Sequence, residues 1–324
     1  MIKKDWKLPI AVFLFTATLL VFLQLKMKNP VILAERFWQG AGWIEILFIS
    51  VYAGFVASKM QDPKLVPVWR IRIWTVFSIV FFLQLGIGLL GFEKFLMTGK
   101  LHLPIPMMIL AGPIYRGHVS FMPVLLLSTI VLTGPAWCSQ LCYFGAFDGL
   151  ASKGKTKKGQ LKNKGSIKIS ILLIVIITTV ILRVFEIPLL IATLVAISFG
   201  VMGIGVMIWL SRKNHKMIHC TLYCPVGTLV NATRFVSPFR MYIDSACDLC
   251  MRCTSHCKYD ALNPEHIKNK KPGFGCTLCG DCLQACKSDS IKYRFLKLSP
   301  NFSRNLYLFL TITLHAVFLA VARI

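Results

Sequence analysis

Acidic residues are scarce in this chain: 13 Asp and Glu stand among 324 residues, against 37 Lys and Arg. Charge of either sign is scarce too, at 15% of residues, while 56% are hydrophobic. Soluble domains carry roughly 25% charged and 45–50% apolar residues, so this composition excludes an ordinary soluble enzyme. It also excludes disorder, which requires low hydrophobicity. No phosphate-binding loop and no Ser-His-Asp constellation can be argued from the chain. What it has in quantity is long apolar runs, and twelve cysteines that all fall in clusters.

Seven windows approach the roughly 20 apolar residues that a membrane helix needs: 8–25, 41–57, 71–91, 119–134, 167–185, 187–210 and 306–321. The first follows Lys3, Lys4 and Lys7, but its apolar core is too long for a signal peptide and no small-residue cleavage site follows it. It reads as a span. The net charge of +24 would point to nucleic acid on a soluble protein. Here basic residues flank the spans on one side, as the positive-inside rule describes, and no nucleic-acid partner is expected. Lys59, Lys64, Arg70 and Arg72 fall in one inner loop, and Lys153, Lys155, Lys157, Lys158, Lys162, Lys164 and Lys168 in the next. The opposite loops hold Lys26, Lys28 and Arg36, then Lys94, Lys100 and Arg116. This bias puts the N-terminus and every cysteine cluster on the cytoplasmic side.

Gly86-Ile87-Gly88-Leu89-Leu90-Gly91 spells the dinucleotide fingerprint, but it lies within an apolar span instead of between a strand and a helix. It reads as helix packing, as do Gly200, Gly203 and Gly205 on the sixth span.

The strongest signal is a tandem run. Cys247-x2-Cys250-x2-Cys253-x3-Cys257 is followed by Cys276-x2-Cys279-x2-Cys282-x3-Cys286. Each is the C-x2-C-x2-C-x3-C pattern of bacterial ferredoxins, in which a tight loop ligates three irons and the fourth cysteine serves the other cluster. The pattern predicts one [4Fe–4S] cluster on Cys247, Cys250, Cys253 and Cys286, and a second on Cys276, Cys279, Cys282 and Cys257. Zinc sites come as separate C-x2-C pairs instead. Lys258 and Lys287 stand where ferredoxins place proline, and positive charge there should raise the cluster potential.

The other four cysteines form Cys138-x3-Cys142 and Cys220-x3-Cys224-Pro225. Aligning 137–145 with 219–227 superposes both cysteines and a glycine, an internal repeat of the kind that builds a site where two halves meet. With the cysteines at i and i+4, each pair should share a helix face. Four thiolates suit a third iron–sulfur cluster; a redox dithiol or a Cu(I) site would use the same pairs.

Membrane spans, two C-x3-C motifs and a double-cluster segment together resemble the NapH/NosR-type membrane polyferredoxins, over roughly 71–321. Cys220, Cys224, Pro225 and the eight ferredoxin-run cysteines match the family motifs. Cys138 and Cys142 match without the proline, since Tyr143 stands in its place. The resemblance implies a quinol-dehydrogenase-like, electron-donating subunit of an oxidoreductase in anaerobic respiration, in the cytoplasmic (inner) membrane of a prokaryote. Its partners would be membrane lipid, quinone and other redox subunits: ferredoxin-like, flavin-domain or reductase proteins. The flavin domain of the NosR-like members has no counterpart segment here.

The loop 92–117 is apolar between polar ends and broken by Pro104, Pro106 and Pro113, so it should lie in the interface or re-enter the membrane. His102, Tyr115, Arg116 and His118 are its candidate contacts to a quinone headgroup; interfacial anchoring is the plainer role of such residues. Glu45 within the second span is functional by default.

The expected fold is an all-α multispanning membrane protein of about seven transmembrane helices, carrying a small α+β 2[4Fe–4S] ferredoxin domain on the cytoplasmic side. The expected division is 1–236 for the membrane domain, 237–300 for the ferredoxin domain and 301–324 for a last transmembrane helix. The expected function is electron transfer between the clusters and the quinone pool or an outer-face partner. A membrane cupric reductase or oxidase-assembly factor is the alternative.

Overall fold

A computed structural model describes residues 5–27, 30–92, 104–119, 121–157 and 159–321. The elements run in chain order as helices α1 (Lys7–Lys26), α2 (Ala41–Met60), α3 (Val66–Leu89), α4 (Met108–Arg116), α5 (Phe121–Thr133), α6 (Gly145–Ala151), α7 (Lys164–Val184), α8 (Leu189–Val206), α9 (Arg212–Asn214) and α10 (Pro225–Ala232). Strand β1 (Phe239–Ile243), helix α11 (Pro264–Lys268), strand β2 (Ile291–Phe295) and helix α12 (Pro300–Val321) complete the chain. Among the described residues, seven helices are long and apolar enough to cross a membrane: α1, α2, α3, Met122–Leu141, α7, Leu189–Asn214 and α12. Each of the seven hydropathy windows falls on one of them.

The chain divides into two compact units. The first comprises α1, α2, α3 and α12. Leu8 and Val12 of α1, Ala53, Val56 and Met60 of α2, Ile73 of α3, and Leu308 and Ile312 of α12 share one buried core. Small residues on α2 let its neighbours approach closely, which is how helices pack where lipid supplies no hydrophobic drive. Glu45 has a structural task here: its Oε2 accepts the N–H of Ala34 at 2.6 Å and so holds the Ala34–Arg36 turn. His315 is fully buried, with Nε2 3.1 Å from the hydroxyl of Tyr52.

The second unit holds α4 through β2. Met107 and Ala111 pack with Val175 of α7 and Ala196 of α8. The loop after the third span contains a real helix, α4, from Met108 to Arg116. The outward faces of α7 and α8 are apolar, with Ile174, Ile177, Val201 and Met202 all exposed, a surface suited to lipid. The glycines divide by role. A Cβ on Gly86 or Gly205 would meet nothing within 4 Å, so neither marks a close helix approach. A Cβ on Gly203 would lie 2.8 Å from the His219 ring, and one on Gly200 would lie 2.9 Å from Ile105.

β1 and β2 pair antiparallel, from Phe239 opposite Phe295 to Ile243 opposite Ile291. Along β1 the side chains of Phe239, Met241 and Ile243 alternate inward, the period-two pattern of a half-buried strand. The two strands bracket the tandem cysteine runs and bring their ends together.

Candidate metal centres

The two tandem runs fold alike. Leu249 and Met251 in the first run adopt left-handed backbone (φ 55° and 59°), as do Leu278 and Gly280 at the same places in the second (φ 59° and 82°). Asp260 and Asp289, each three residues after a fourth cysteine, repeat this (φ 52° and 46°). Left-handed leucine, methionine and aspartate are strained at about 1–3 kcal/mol each. Alternating right- and left-handed residues turn successive N–H groups inward as a nest, the concavity that receives phosphates and iron–sulfur groups. Ala261 N–H donates to the Cys257 sulfur (3.2 Å) and Ser290 N–H to the Cys286 sulfur (3.3 Å), again at matching positions.

The sulfurs surround two cavities. Cys247, Cys250, Cys253 and Cys286 line one of about 300 Å³, with Ile243 and Ile291 beside them. Cys257, Cys276, Cys279 and Cys282 line the other, of about 340 Å³, with Met241 and Tyr259. Each run thus gives its fourth cysteine to the other cavity. The first lies nearer solvent: Cys250 is exposed, whereas Cys257 and Cys282 are buried.

The C-x3-C motifs fold as a second repeated device. Each includes a π-helical turn: Trp137–Leu141 ends the fourth span, and His219–Tyr223 follows the sixth, which stops at Asn214. Cys142 N–H bonds the Trp137 carbonyl at 2.9 Å and Cys224 N–H bonds the His219 carbonyl at 2.8 Å. The second cysteine of each pair is extended, with ψ of 115° and 118°. The pairs therefore do not sit as α-helical i, i+4 neighbours; the wider turn sets each second sulfur beyond the helical face. A new helix then begins, directly at Pro225 in the second half and at Gly145 in the first, where Tyr143 replaces the proline. Cys138, Cys142, Cys220 and Cys224 together line a cavity of about 330 Å³, walled by Trp137, Phe144 and His219. An adjoining cavity of about 210 Å³ shares Phe144, His219 and Cys224 with it, and extends to Met107, Phe199 and Gly200.

Among the described residues, no three His, Cys, Asp or Glu side chains converge closely enough to hold a single metal ion. The cysteines stand around voids instead, four to each, a donor arrangement that fits a polynuclear iron–sulfur group better than zinc or Cu(I). All twelve are free of disulfides. Burial pushes the thiols of Cys142 and Cys257 up to about 12, and Cys220 well above its ordinary value. A reactive dithiol needs the opposite shift, while a metal displaces the proton and keeps the thiolate. Cys286 differs. Burial acts upward, but the hydroxyl and N–H of Ser290, the N–H of Ile291 and the Ser288 hydroxyl together bring its thiol below the usual value.

Polar contacts tie the second and third cavities together. Tyr259, on the wall of the Cys257 cavity, donates its hydroxyl to the Cys138 carbonyl at 2.7 Å. Ser139 donates to the carbonyl of Thr277, on the same wall, at 2.8 Å. Asp148 is wholly buried and accepts the N–H of Cys220 at 2.9 Å. Sequence reasoning missed Tyr259, Ser139 and Asp148, since only the fold brings them to the cysteines. The sequence places His219 beside Cys220, and the fold adds that its ring walls the cavity.

The loop residues considered for a quinone headgroup are differently placed. His102 lies outside the described residues. The Tyr115 hydroxyl donates to the Ile187 carbonyl at 2.7 Å, Arg116 closes α4 and His118 is exposed.

A family model described as a 4Fe-4S binding domain matches residues 116–159. That stretch contains Cys138 and Cys142 and neither tandem run. No curated protein and no solved structure matches the chain. The match joins the chemistry of the donor sets: this chain carries an iron–sulfur binding domain.

Proposed function

We propose that the chain is a membrane-bound electron-transfer subunit of the NapH/NosR polyferredoxin type, with three [4Fe–4S] sites. The ligand sets are Cys247, Cys250, Cys253 and Cys286; Cys257, Cys276, Cys279 and Cys282; and Cys138, Cys142, Cys220 and Cys224. When bound, such a cluster supplies one-electron transfer at a potential tuned by its surroundings. The protein supplies the order. Cys250 offers a solvent-facing end to a soluble or membrane-attached redox partner, and the Tyr259–Cys138 and Ser139–Thr277 contacts join the middle site to the one at the ends of the spans. This linked series of three four-cysteine cavities is the observation that carries the reading.

The acceptor or donor at the membrane end is the quinone pool or an outer-face partner of a respiratory reductase. The apolar cavity beside Cys224, walled by Phe144 and Phe199, supports a small apolar reactant there more than Tyr115 does, whose hydroxyl is already bonded. The basic loops support an orientation with the N-terminus and the tandem runs in the cytoplasm of a prokaryote.

Iron and acid-labile sulfide in anaerobically purified protein test the reading. The native chain should hold about 12 iron, and a variant with Cys138, Cys142, Cys220 and Cys224 all changed to Ser about 8. About 8 in both, with copper bound to the native quartet, would instead support the cupric-reductase or oxidase-assembly alternative.

A further inference from the structure

Lys168 counts in the sequence as one more basic residue of a cytoplasmic loop. The structure gives it a different setting. It lies in the second turn of α7 and only 8% of it is exposed. α7 packs against the His219–Tyr223 turn and against α10, the two elements that hold Cys220 and Cys224. Cys138, Cys220 and Cys224 lie within electrostatic reach of its ammonium.

Burying an ammonium costs several kcal/mol unless an anion faces it. Among the described residues, no carboxylate pairs with Lys168: the ion pairs found are Lys164 and Lys216 with Asp260, and Lys292 with Asp244. The other charges around it do not help. Lys164 repels it, and the buried carboxylate of Asp148 accepts the Cys220 N–H. The anion available is the four-cysteine site.

We propose that Lys168 is the counter-ion of the Cys138, Cys142, Cys220 and Cys224 site and holds the reduction potential of that site up. The inference rests on the three-site reading above. A cluster held by four thiolates is net anionic, and reduction adds one further negative charge. In a poorly solvated setting at the end of the spans, that added charge is expensive. A fixed positive charge lowers the cost of the reduced form more than of the oxidised form, so it makes the site a better acceptor. Lys168 touches no substrate; it is a positioning residue acting through field alone.

The test is a spectroscopically monitored redox titration of the full chain, resolved by site, with iron content measured on every sample. Lys168→Met keeps the length of the side chain and removes its charge; Lys168→Arg keeps the charge. With the Met variant still at about 12 iron, the ratio of reduced to oxidised cluster at this site should fall at least tenfold at a fixed potential, about 59 mV for a one-electron couple. The Arg variant should stay within threefold of native, and the other two sites should not move. An unchanged ratio in the iron-replete Met variant overturns the proposal, as does an equal shift in the Arg variant, which would mean packing and not charge. Where the Met change sheds this site's iron altogether, the Arg variant decides: iron and potential kept uphold the counter-ion, and the same loss overturns it. Failure of the underlying reading shows separately, as about 8 iron in the native chain before any lysine is changed.

Discussion

A thiolate that accepts hydrogen bonds holds its negative charge more comfortably, and the cluster it ligates is easier to reduce. Cys286 receives two such bonds from Ser290, hydroxyl and N–H each at 3.3 Å. Ser290→Ala removes the hydroxyl and leaves the backbone bond. The midpoint potential of the Cys247, Cys250, Cys253 and Cys286 site should therefore fall, with iron content unchanged and the other sites still; a redox titration checks this, and an unaltered potential would mean that the hydroxyl leaves the sulfur untouched. The lysines that replace the ferredoxin prolines behave less simply than their charge implies. Lys258 donates to the carbonyls of Ser152, Gly154 and His215, so its ammonium is bound up in tying the first tandem run to two other segments. The grouping of the cysteines around three cavities was legible residue by residue, because their spacing is a local property of the chain. The Lys258 contacts were not, since their partners lie 43 or more residues away.

At the scale of the element, the seven long apolar helices were legible because hydropathy averages over some twenty residues and needs no tertiary knowledge. The π-helical turns were not. They depend on a carbonyl skipping its usual partner, as Trp137 does to reach Cys142, and nothing in residue type announces that. Such turns are rare and concentrate at functional sites; of the three among the described residues, Trp137–Leu141 and His219–Tyr223 hold cysteine pairs of one cavity, and Met207–Ser211 holds none. The repeat also explains its shared glycine in the second half: a Cβ on Gly227 would stand 2.8 Å from the backbone carbonyl oxygen of Cys220. Since backbone cannot yield as a side chain can, Gly227→Ala should push the turn apart and cost the chain about 4 of its iron atoms while the tandem-run sites stay filled. Iron analysis with site-resolved spectra checks it; a full complement of iron in the variant would mean the turn tolerates the methyl group.

At the scale of the whole molecule, hydropathy alone separates the tandem-run segment from the spans, yet that segment folds within one compact unit with the second half of the membrane helices. A charge pair is one of its fastenings, beside the Tyr259, Ser139 and Lys258 hydrogen bonds, and it was illegible because it joins residues 44 and 96 apart in the chain. Asp260, three residues after Cys257, accepts Lys216 at 2.6 Å and Lys164 at 3.5 Å. Lys216 and Asp260 are both buried, at 6% and 8% side-chain exposure. A buried pair adds little over apolar packing, but breaking one strands a charge and costs about 3–5 kcal/mol. Asp260→Asn keeps the side-chain shape, tolerates the left-handed backbone there (φ 52°), and leaves one oxygen to accept the Leu161 N–H, now at 3.0 Å, so what it removes is the charge and the acceptor that faces Lys216. The variant should release the segment and speed limited proteolysis within 244–299 by about 100-fold or more, where cleavage follows local opening. Adding Lys216→Met removes the stranded ammonium and should recover most of the protection. If Asp260→Asn alone is cut no faster than the native chain, the pair is a surface contact in energetic terms, and the Lys258 and Tyr259 hydrogen bonds must hold the segment without it.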